Sequence, residues 1–262
     1  MRAQTTASAL FLVAERAGTV IEVEHLAKRF GSIDALRDIS FQALDGRITG
    51  LLGPNGAGKS TSLRILCATL VADSGSAHID GEMVTPANAA LRRRLGILPH
   101  NAGLYPSLTA RENIEYFGRL AGLTSIAARQ RSQELIELLE MQDIAERRTK
   151  TFSQGQKVRA ALGRALVHAP RNLVLDEPTN GLDVPAVRKL RELLRRLRNQ
   201  GHCIVFSSHV MQEVALLCDE VVVMARGVVV ARGTPEALRA STGAANFEDA
   251  FVALTGDEGE PA

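Results

Sequence analysis

The sequence has no tryptophan, and aromatic residues of all kinds make up only 4% of its 262 residues. Proteins that bind single-stranded nucleic acid stack bases on aromatic side chains, so this composition argues against such a platform. The charge is also nearly balanced, with 31 basic and 29 acidic residues and a net charge of +2. A chain so close to neutral lacks the excess of basic residues that is typical of nucleic-acid-binding proteins, and we expect no nucleic-acid partner.

Cysteines are few and scattered: Cys67, Cys203 and Cys218 each lie in an apolar run. This spacing fits neither a disulfide framework nor a metal-binding cluster. It predicts buried thiols in a protein of a reducing compartment.

Long apolar runs are missing as well, since none approaches the ~20 residues that span a bilayer. Within Met1–Gly18 the only apolar run, Ala9–Ala14, is shorter than that of a signal peptide, and its start is less basic. We expect residues 1–18 to be a disordered extension or the product of a misassigned start codon. Any membrane role is then expected to come through a partner subunit.

The most informative stretch of the chain is a glycine-rich loop that fits the pattern G-x-x-x-x-G-K-[ST]. Its residues are Gly53, Pro54, Asn55, Gly56, Ala57, Gly58, Lys59, Ser60 and Thr61. The apolar run Ile48–Leu52 predicts a buried strand before the loop, and apolar residues at helical spacing follow it: Leu63, Leu66, Cys67 and Leu70. A loop that joins a strand to a helix N-terminus in this way points backbone N–H groups at a triphosphate. Lys59 is expected to reach the β- and γ-phosphates, and the Ser60 hydroxyl to bind Mg²⁺.

A second chemical motif, Leu175-Asp176-Glu177-Pro178, ends the predicted strand Leu173–Asp176. A phosphate-loop enzyme needs a carboxylate at a strand end to hold Mg²⁺, and Asp176 is placed for that role. Glu177 comes next and could take a proton from an attacking water.

Two further motifs are weaker by themselves. Ser153 precedes a helix-like stretch, where it predicts either an anion site or only a helix cap. His209 follows the predicted strand Cys203–Phe206, where it could donate to a phosphate or be a histidine without a chemical role.

The order of elements predicts an α/β fold. Alternating strands and helices around the phosphate loop indicate a mostly parallel sheet of the P-loop (RecA-like) type. The strands Val20–Glu24 and Ile39–Leu44 predict an antiparallel β subdomain before it, and a hairpin is expected at Arg226-Gly227. A helical subdomain is predicted to be inserted at about residues 100–152, with a capping box at Thr109-Ala110-Arg111-Glu112.

Taken in order, these motifs resemble those of the ATP-binding subunit of an ATP-binding cassette (ABC) transporter. The resemblance covers Val20 to Gly256 and includes the signature-like stretch Phe152–Gln156 and the loop Asn180–Asp183. Several stretches are similar to the export-type (ABC-2) ATPases of the NatA sodium-exporter group: Ile97–His100, Gly103–Tyr105, Leu108–Ile114 and Tyr116–Gly118. The resemblance divides the chain into an extension (1–18), an ABC ATPase domain (19–256) and a tail (257–262).

The resemblance implies a two-lobed ATPase that forms a head-to-tail homodimer around two molecules of ATP with Mg²⁺. It implies that Phe30 stacks on adenine and that the phosphate loop and Lys59 bind the phosphates. Ser153, Gly155 and Gln156 of the signature-like stretch would act on the ATP held by the other protomer. Asp183 would contact the partner, and His209 would sense the γ-phosphate. Residues 100–114 would transmit the closing movement of the dimer to a membrane-spanning permease. Through that permease the subunit would lie on the inner face of the cell membrane.

Three residues depart from the family pattern. In the usual signature, Leu-Ser-Gly-Gly-Gln, Phe152 replaces the leucine and Gln154 replaces the first glycine, although the N–H of Gln154 remains available. His100 stands where the family has a glutamine, and an imidazole nitrogen suits Mg²⁺ less well than an amide oxygen. The sequence leaves three arrangements open: His100 completes the metal site, Asn101 does so instead, or His100 faces a subunit interface.

The expected function is therefore ATP hydrolysis that drives export by a separate membrane subunit, with sodium ions as one candidate substrate. Drugs, antibiotics and polysaccharides are alternatives, because related ATPases serve those exporters. A non-transport ABC ATPase would usually carry coiled coils, paired cassettes or basic tracts. A degenerate regulatory module would not be expected to keep Lys59, Asp176, Glu177 and His209.

Overall fold

The computed structural model describes residues 19–256, so the predicted extension and tail lie outside the described residues. The strands are β1 (Thr19–Phe30), β2 (Ile33–Leu44), β3 (Ile48–Leu52), β4 (Ser74–Ile79), β5 (Glu82–Met83), β6 (Leu95–Leu98), β7 (Asn172–Asp176), β8 (Cys203–Ser208), β9 (Glu220–Ala225) and β10 (Val228–Gly233). The helices are α1 (Lys59–Leu66), α2 (Ala89–Arg92), α3 (Ala110–Leu120), α4 (Ser125–Leu138), α5 (Gln154–Leu166), α6 (Val184–Asn199), α7 (Met211–Leu217), α8 (Pro235–Thr242) and α9 (Phe247–Thr255). A 3₁₀ turn, Thr149–Thr151, precedes α5.

The strands form one ten-stranded sheet in the order β5-β4-β1-β2-β10-β9-β3-β8-β7-β6. From β9 to β6 all neighbouring strands are parallel, whereas β5, β4, β1 and β2 pair in antiparallel fashion. Strands β9 and β10 form the predicted hairpin. This architecture confirms the predicted α/β fold with a parallel core and an antiparallel part.

The parallel strands are buried on both faces, which explains why they read as continuous apolar runs. All residues of β3 and β8 are buried. One apolar cluster lies between the parallel strands and helices α3 to α6, and a second lies between the antiparallel strands and α1. Because β3, β8 and β7 are parallel, their carboxyl ends lie at the same edge of the sheet. Ligands bind at this edge in parallel α/β sheets.

The helices between β6 and β7 agree with the predicted helical insertion, although its boundaries stay a prediction. α3 begins with the expected capping box: the Glu112 N–H donates to Thr109 Oγ1, and the Thr109 N–H donates to Glu112 Oε2. Asn113, fully buried, accepts from the Tyr105 N–H and donates to the carbonyls of Tyr105, Leu108 and Thr109, which fixes the loop before α3.

One helix is shorter than its pattern predicted. α1 ends at Leu66, so Leu70 lies beyond it. The Ala68 N–H donates to the Ile65 carbonyl and the Thr69 N–H to the Arg64 carbonyl, which is the Schellman arrangement that closes a helix.

The three cysteines are buried and free, as predicted. None of the helices described has the length and apolar character needed to span a bilayer.

Candidate functional site

The glycine-rich loop joins buried β3 to the N-terminus of α1, as predicted. Gly58 caps α1 with a φ of 102°. A Cβ atom on Gly58 would lie 2.8 Å from the Ala35 carbonyl oxygen and 2.5 Å from Leu36 Cδ2. No other residue fits there, because L-residues avoid this φ and the space is occupied. The loop is thus held in the curled shape that directs N–H groups inward.

Lys59 is folded back into its own loop. Its side chain is 6% exposed, and Nζ donates to the carbonyls of Gly53 (2.7 Å) and Pro54 (3.1 Å). Glu177 Oε1 lies 3.9 Å from Nζ. Burial lowers the pKa of Lys59, while the charges of Glu177 and Asp176 oppose that effect. A buried ammonium whose nearest carboxylate is at the limit of ion-pair distance can accept a further anion.

Asp176 ends β7 and accepts two hydroxyl hydrogen bonds on one oxygen. Ser60 Oγ donates to Asp176 Oδ1 at 3.0 Å, and Ser207 Oγ donates to the same atom at 2.7 Å. Ser207 is fully buried and pairs with Asp176 in the parallel register of β7 and β8. Ser60 and Asp176, both predicted to hold Mg²⁺, are thus in contact. Ser207, which supports Asp176 from β8, was not predicted from the sequence.

Glu177 is held in an unusual backbone conformation beside this carboxylate. Its φ is 51°, in the left-handed region that few residues other than glycine adopt. Its N–H donates to Ser207 Oγ at 3.0 Å, and its carbonyl accepts from the Asn180 N–H. The side chain is 9% exposed, and Oε2 lies 2.7 Å from His209 Nδ1. Strain of this kind persists only where the surroundings fix it, and it is concentrated at functional sites.

These residues fit a Mg²⁺–nucleotide complex. Mg²⁺ in phosphate-transfer sites is held by one or two protein oxygens, by waters and by the substrate phosphates. The Ser60 hydroxyl and the Asp176 carboxylate are such oxygens, and they lie in hydrogen-bond contact. Within residues 19–256 no cluster of three or more His, Cys, Asp and Glu side chains forms a closed metal cage.

A second group of predicted residues lies around the start of α5. Ser153 caps α5 in a capping box with Gln156, which confirms the predicted helix cap. An anion site at the same helix start stays a prediction. A Cβ atom on Gly181 would lie only 3.1 Å from Gln154 Cγ, so Gln154 packs against the loop Asn180–Asp183. Asp183 accepts from the Ala186 N–H and caps α6. Residues of α5, α6 and this loop line a cavity of about 480 Å³.

The two groups are separate in the monomer. Among residues 19–256 the structure shows no hydrogen bond or ion pair between Gly53–Thr61 and Ser153–Gln156. Phe30 lies at the end of β1 with 43% of its surface exposed, and Lys28 Nζ lies 5.6 Å from the centre of its ring. His100 is exposed in the turn after β6 and has no hydrogen bond or ion pair within the described part of the chain, so its role stays open.

Comparison with known proteins agrees with this geometry. The profile of the family described as "ABC transporter" matches residues 36–180. The chain is 35% identical over 236 residues to the linearmycin resistance ATP-binding protein LnrL of Bacillus subtilis (strain 168), covering 90% of this chain and 75% of that protein. It is 39% identical over 207 residues to the ABC transporter ATP-binding protein NatA of the same organism, covering 79% of this chain and 84% of NatA.

Among solved structures, the fold is similar to a dimeric post-hydrolysis state of the ATP-binding cassette MJ0796 bound to ADP and phosphate. The TM-score is 0.76 at 25% identity, over 82% of this chain and 98% of that one.

Proposed function

This chain belongs to the ABC transporter family as an ATP-binding subunit, and from that premise we propose that it hydrolyses ATP to drive export through a separate membrane subunit. The observation that carries the proposal is the arrangement at the end of β7. There Asp176 and Glu177 are fixed by Ser207, and Glu177 lies near Lys59.

The roles of the residues follow from this arrangement. Backbone N–H groups of the phosphate loop and the Lys59 ammonium bind the phosphates. Ser60 and Asp176 hold Mg²⁺, which when bound neutralises charge on the phosphate oxygens. Glu177 accepts a proton from the attacking water at a carboxylate oxygen. His209, whose Nδ1 lies 2.7 Å from the other oxygen, keeps the Glu177 carboxylate in place and would contact the γ-phosphate of a bound nucleotide.

The separation of the two groups supports a head-to-tail homodimer. The N-terminus of α5, with Ser153 and Gly155, offers backbone donors to an anion but lies apart from the phosphate loop of its own chain. A second copy would bring its α5 to the ATP bound here and complete both sites. The resemblance to dimeric MJ0796 supports the same assembly.

The transported substrate rests on the relatives alone. The resemblance of its motifs to the sodium-exporter group favours sodium ions, and similarity to the linearmycin resistance protein LnrL favours an antibiotic of the linearmycin type. In both cases the membrane subunit would contact the substrate, and this chain would lie on the inner face of the membrane by contact with that subunit.

The test of hydrolysis is a comparison of purified wild type, Lys59→Ala and Lys150→Ala. Lys59→Ala removes the loop's only side-chain cation, so it should abolish tight binding of a fluorescent ATP analogue and reduce turnover to background. Lys150 is exposed and lies outside the site, so its variant should behave like the wild type. Full affinity in Lys59→Ala, or a wild type without phosphate release, would contradict the proposal.

Association with a membrane subunit is tested by fractionation. The wild-type chain should sediment with membranes only when its proposed membrane subunit is co-expressed. Sedimentation without that partner would overturn the peripheral-subunit assignment.

A further inference from the structure

A partly buried arginine connects the start of the helical insertion to the signature-like helix. Arg164 lies near the C-terminal end of α5. Its Nη2 donates to the Ile97 carbonyl at 2.8 Å, and its Nη1 donates to the Gly103 carbonyl at 2.6 Å. One guanidinium thus holds both ends of the short segment that carries His100 and Asn101.

The same guanidinium also contacts the helical insertion. Its central carbon lies 4.7 Å from the centre of the Phe117 ring on α3, and Tyr105 stacks on Phe117 at 5.9 Å. Burial lowers the pKa of Arg164 to about 10, which still leaves it charged at neutral pH. A planar fork that donates to two carbonyls while it stacks on a ring has no equivalent in lysine.

The contact is tightly fitted from both sides. A Cβ atom on Gly103 would lie 2.4 Å from Arg164 Nη1. Beside Arg164, α5 packs directly on β6, because a Cβ on Gly96 would lie 2.8 Å from the Ala165 carbonyl oxygen. The segment 97–103 therefore cannot shift without moving either the guanidinium or α5.

We propose that Arg164 is a positioning residue that couples the segment 97–103 to the N-terminus of α5. The eleven residues from Gln154 to Arg164 are separated by ten rises, roughly 15 Å of helix, which moves as a rigid rod. Displacement of segment 97–103 would thus reach Ser153 through Arg164. The proposal rests on the proposed ATPase function, since it concerns how the two groups of site residues are aligned.

The experiment compares Arg164→Lys with Arg159→Lys, a matched control on the same helix. Arg159 Nη1 also donates to a backbone carbonyl, that of Glu140, at 2.7 Å, but it does not touch segment 97–103. Arg164→Lys should lower kcat about 10- to 100-fold, the scale of a misplaced site, with KM for Mg·ATP within about twofold. Arg159→Lys keeps the charge and leaves the contact with segment 97–103 intact, so it should change neither value by more than about twofold.

Hydrogen exchange of the peptides that cover residues 97–103 gives a readout independent of turnover. Arg164→Lys should accelerate their exchange in the nucleotide-free protein, and Arg159→Lys should not. If the wild type hydrolyses no ATP, the proposed function fails, but this exchange result still tests the coupling.

If Arg164→Lys folds poorly, Gly103→Ala is a second variant that disturbs the same contact. Its control is Gly243→Ala, because Gly243 has a similar φ of 67° but open space around the missing Cβ. Lower kcat and faster exchange in Gly103→Ala alone would support the proposal. Equal effects in both members of either pair, or unchanged exchange in Arg164→Lys and Gly103→Ala, would overturn it.

Discussion

Ser207 offers a sharp test of how the site is built, because its hydroxyl serves two neighbours at once. Oγ donates to Asp176 Oδ1 at 2.7 Å and accepts from the Glu177 N–H at 3.0 Å. Ser207→Ala would leave a peptide N–H unpaired, at a cost of about 1–3 kcal/mol. Asp176 keeps its hydrogen bond from Ser60, so its loss is smaller. We expect the free energy of unfolding to fall by about 2–3 kcal/mol in total.

The neighbouring serine is a matched control. Ser208 is equally buried in β8, but its Oγ only accepts from the Val210 N–H at 3.0 Å. Ser208→Ala also leaves one peptide N–H unpaired but removes no hydrogen bond to a carboxylate, so it should cost less than Ser207→Ala, about 1–2 kcal/mol. Because the chain has no tryptophan, urea unfolding is best followed by circular dichroism.

Turnover separates a site role from a purely structural one. Ser207→Ala should lower ATP turnover at least about tenfold, because Glu177 loses support for its strained backbone and shifts from its position. Ser208→Ala should retain turnover. Equal losses of stability and of turnover in the two variants would refute the reasoning.

Two further predictions concern histidines. His100→Gln should keep or raise turnover at saturating Mg·ATP, because an amide oxygen is a better Mg²⁺ ligand than an imidazole. A turnover below that of the wild type would contradict a metal role for this position. His168 and His202 are largely buried, and burial lowers the pKa of each. The unfolded chain then binds more protons, so stability is complete above pH ~6.5 and falls as pH drops from there, by up to about 1.4 kcal/mol per unit per histidine. Thermal melts from pH 7.5 to 5 measure this fall, and a constant melting temperature would contradict it.

Local patterns predicted the parts of the fold that depend on local chemistry. The phosphate loop between strand and helix, the cap at Ser153 and the capping box at Thr109 all follow from residue types at fixed spacing. The parallel core follows from continuous apolar runs between helices.

Contacts across the sheet could not be predicted in this way. Ser207 reaches Asp176 because β7 and β8 pair in one particular register, which no local pattern reveals. The only available signal was a serine two residues before His209 at the end of a buried strand. Arg164 was missed for the same reason, since its two carbonyl acceptors lie more than 60 residues away in the chain.

The early end of α1 was missed for a different reason. The residue in the left-handed position of its Schellman motif is Ala68, with a φ of 53°. Glycine is the usual signal for this motif, and its absence made the helix appear to continue to Leu70.

The central claim, that Glu177 is the general base of an ATPase that works as a dimer, is tested most directly by Glu177→Gln. The variant keeps the size of the side chain but cannot accept a proton, so turnover should fall by roughly 10²–10⁴ while ATP binding is retained. Light scattering should show a dimer of this variant with Mg·ATP and a monomer with ADP. A variant that stays monomeric with ATP and turns over at the wild-type rate would contradict both the base and the dimer.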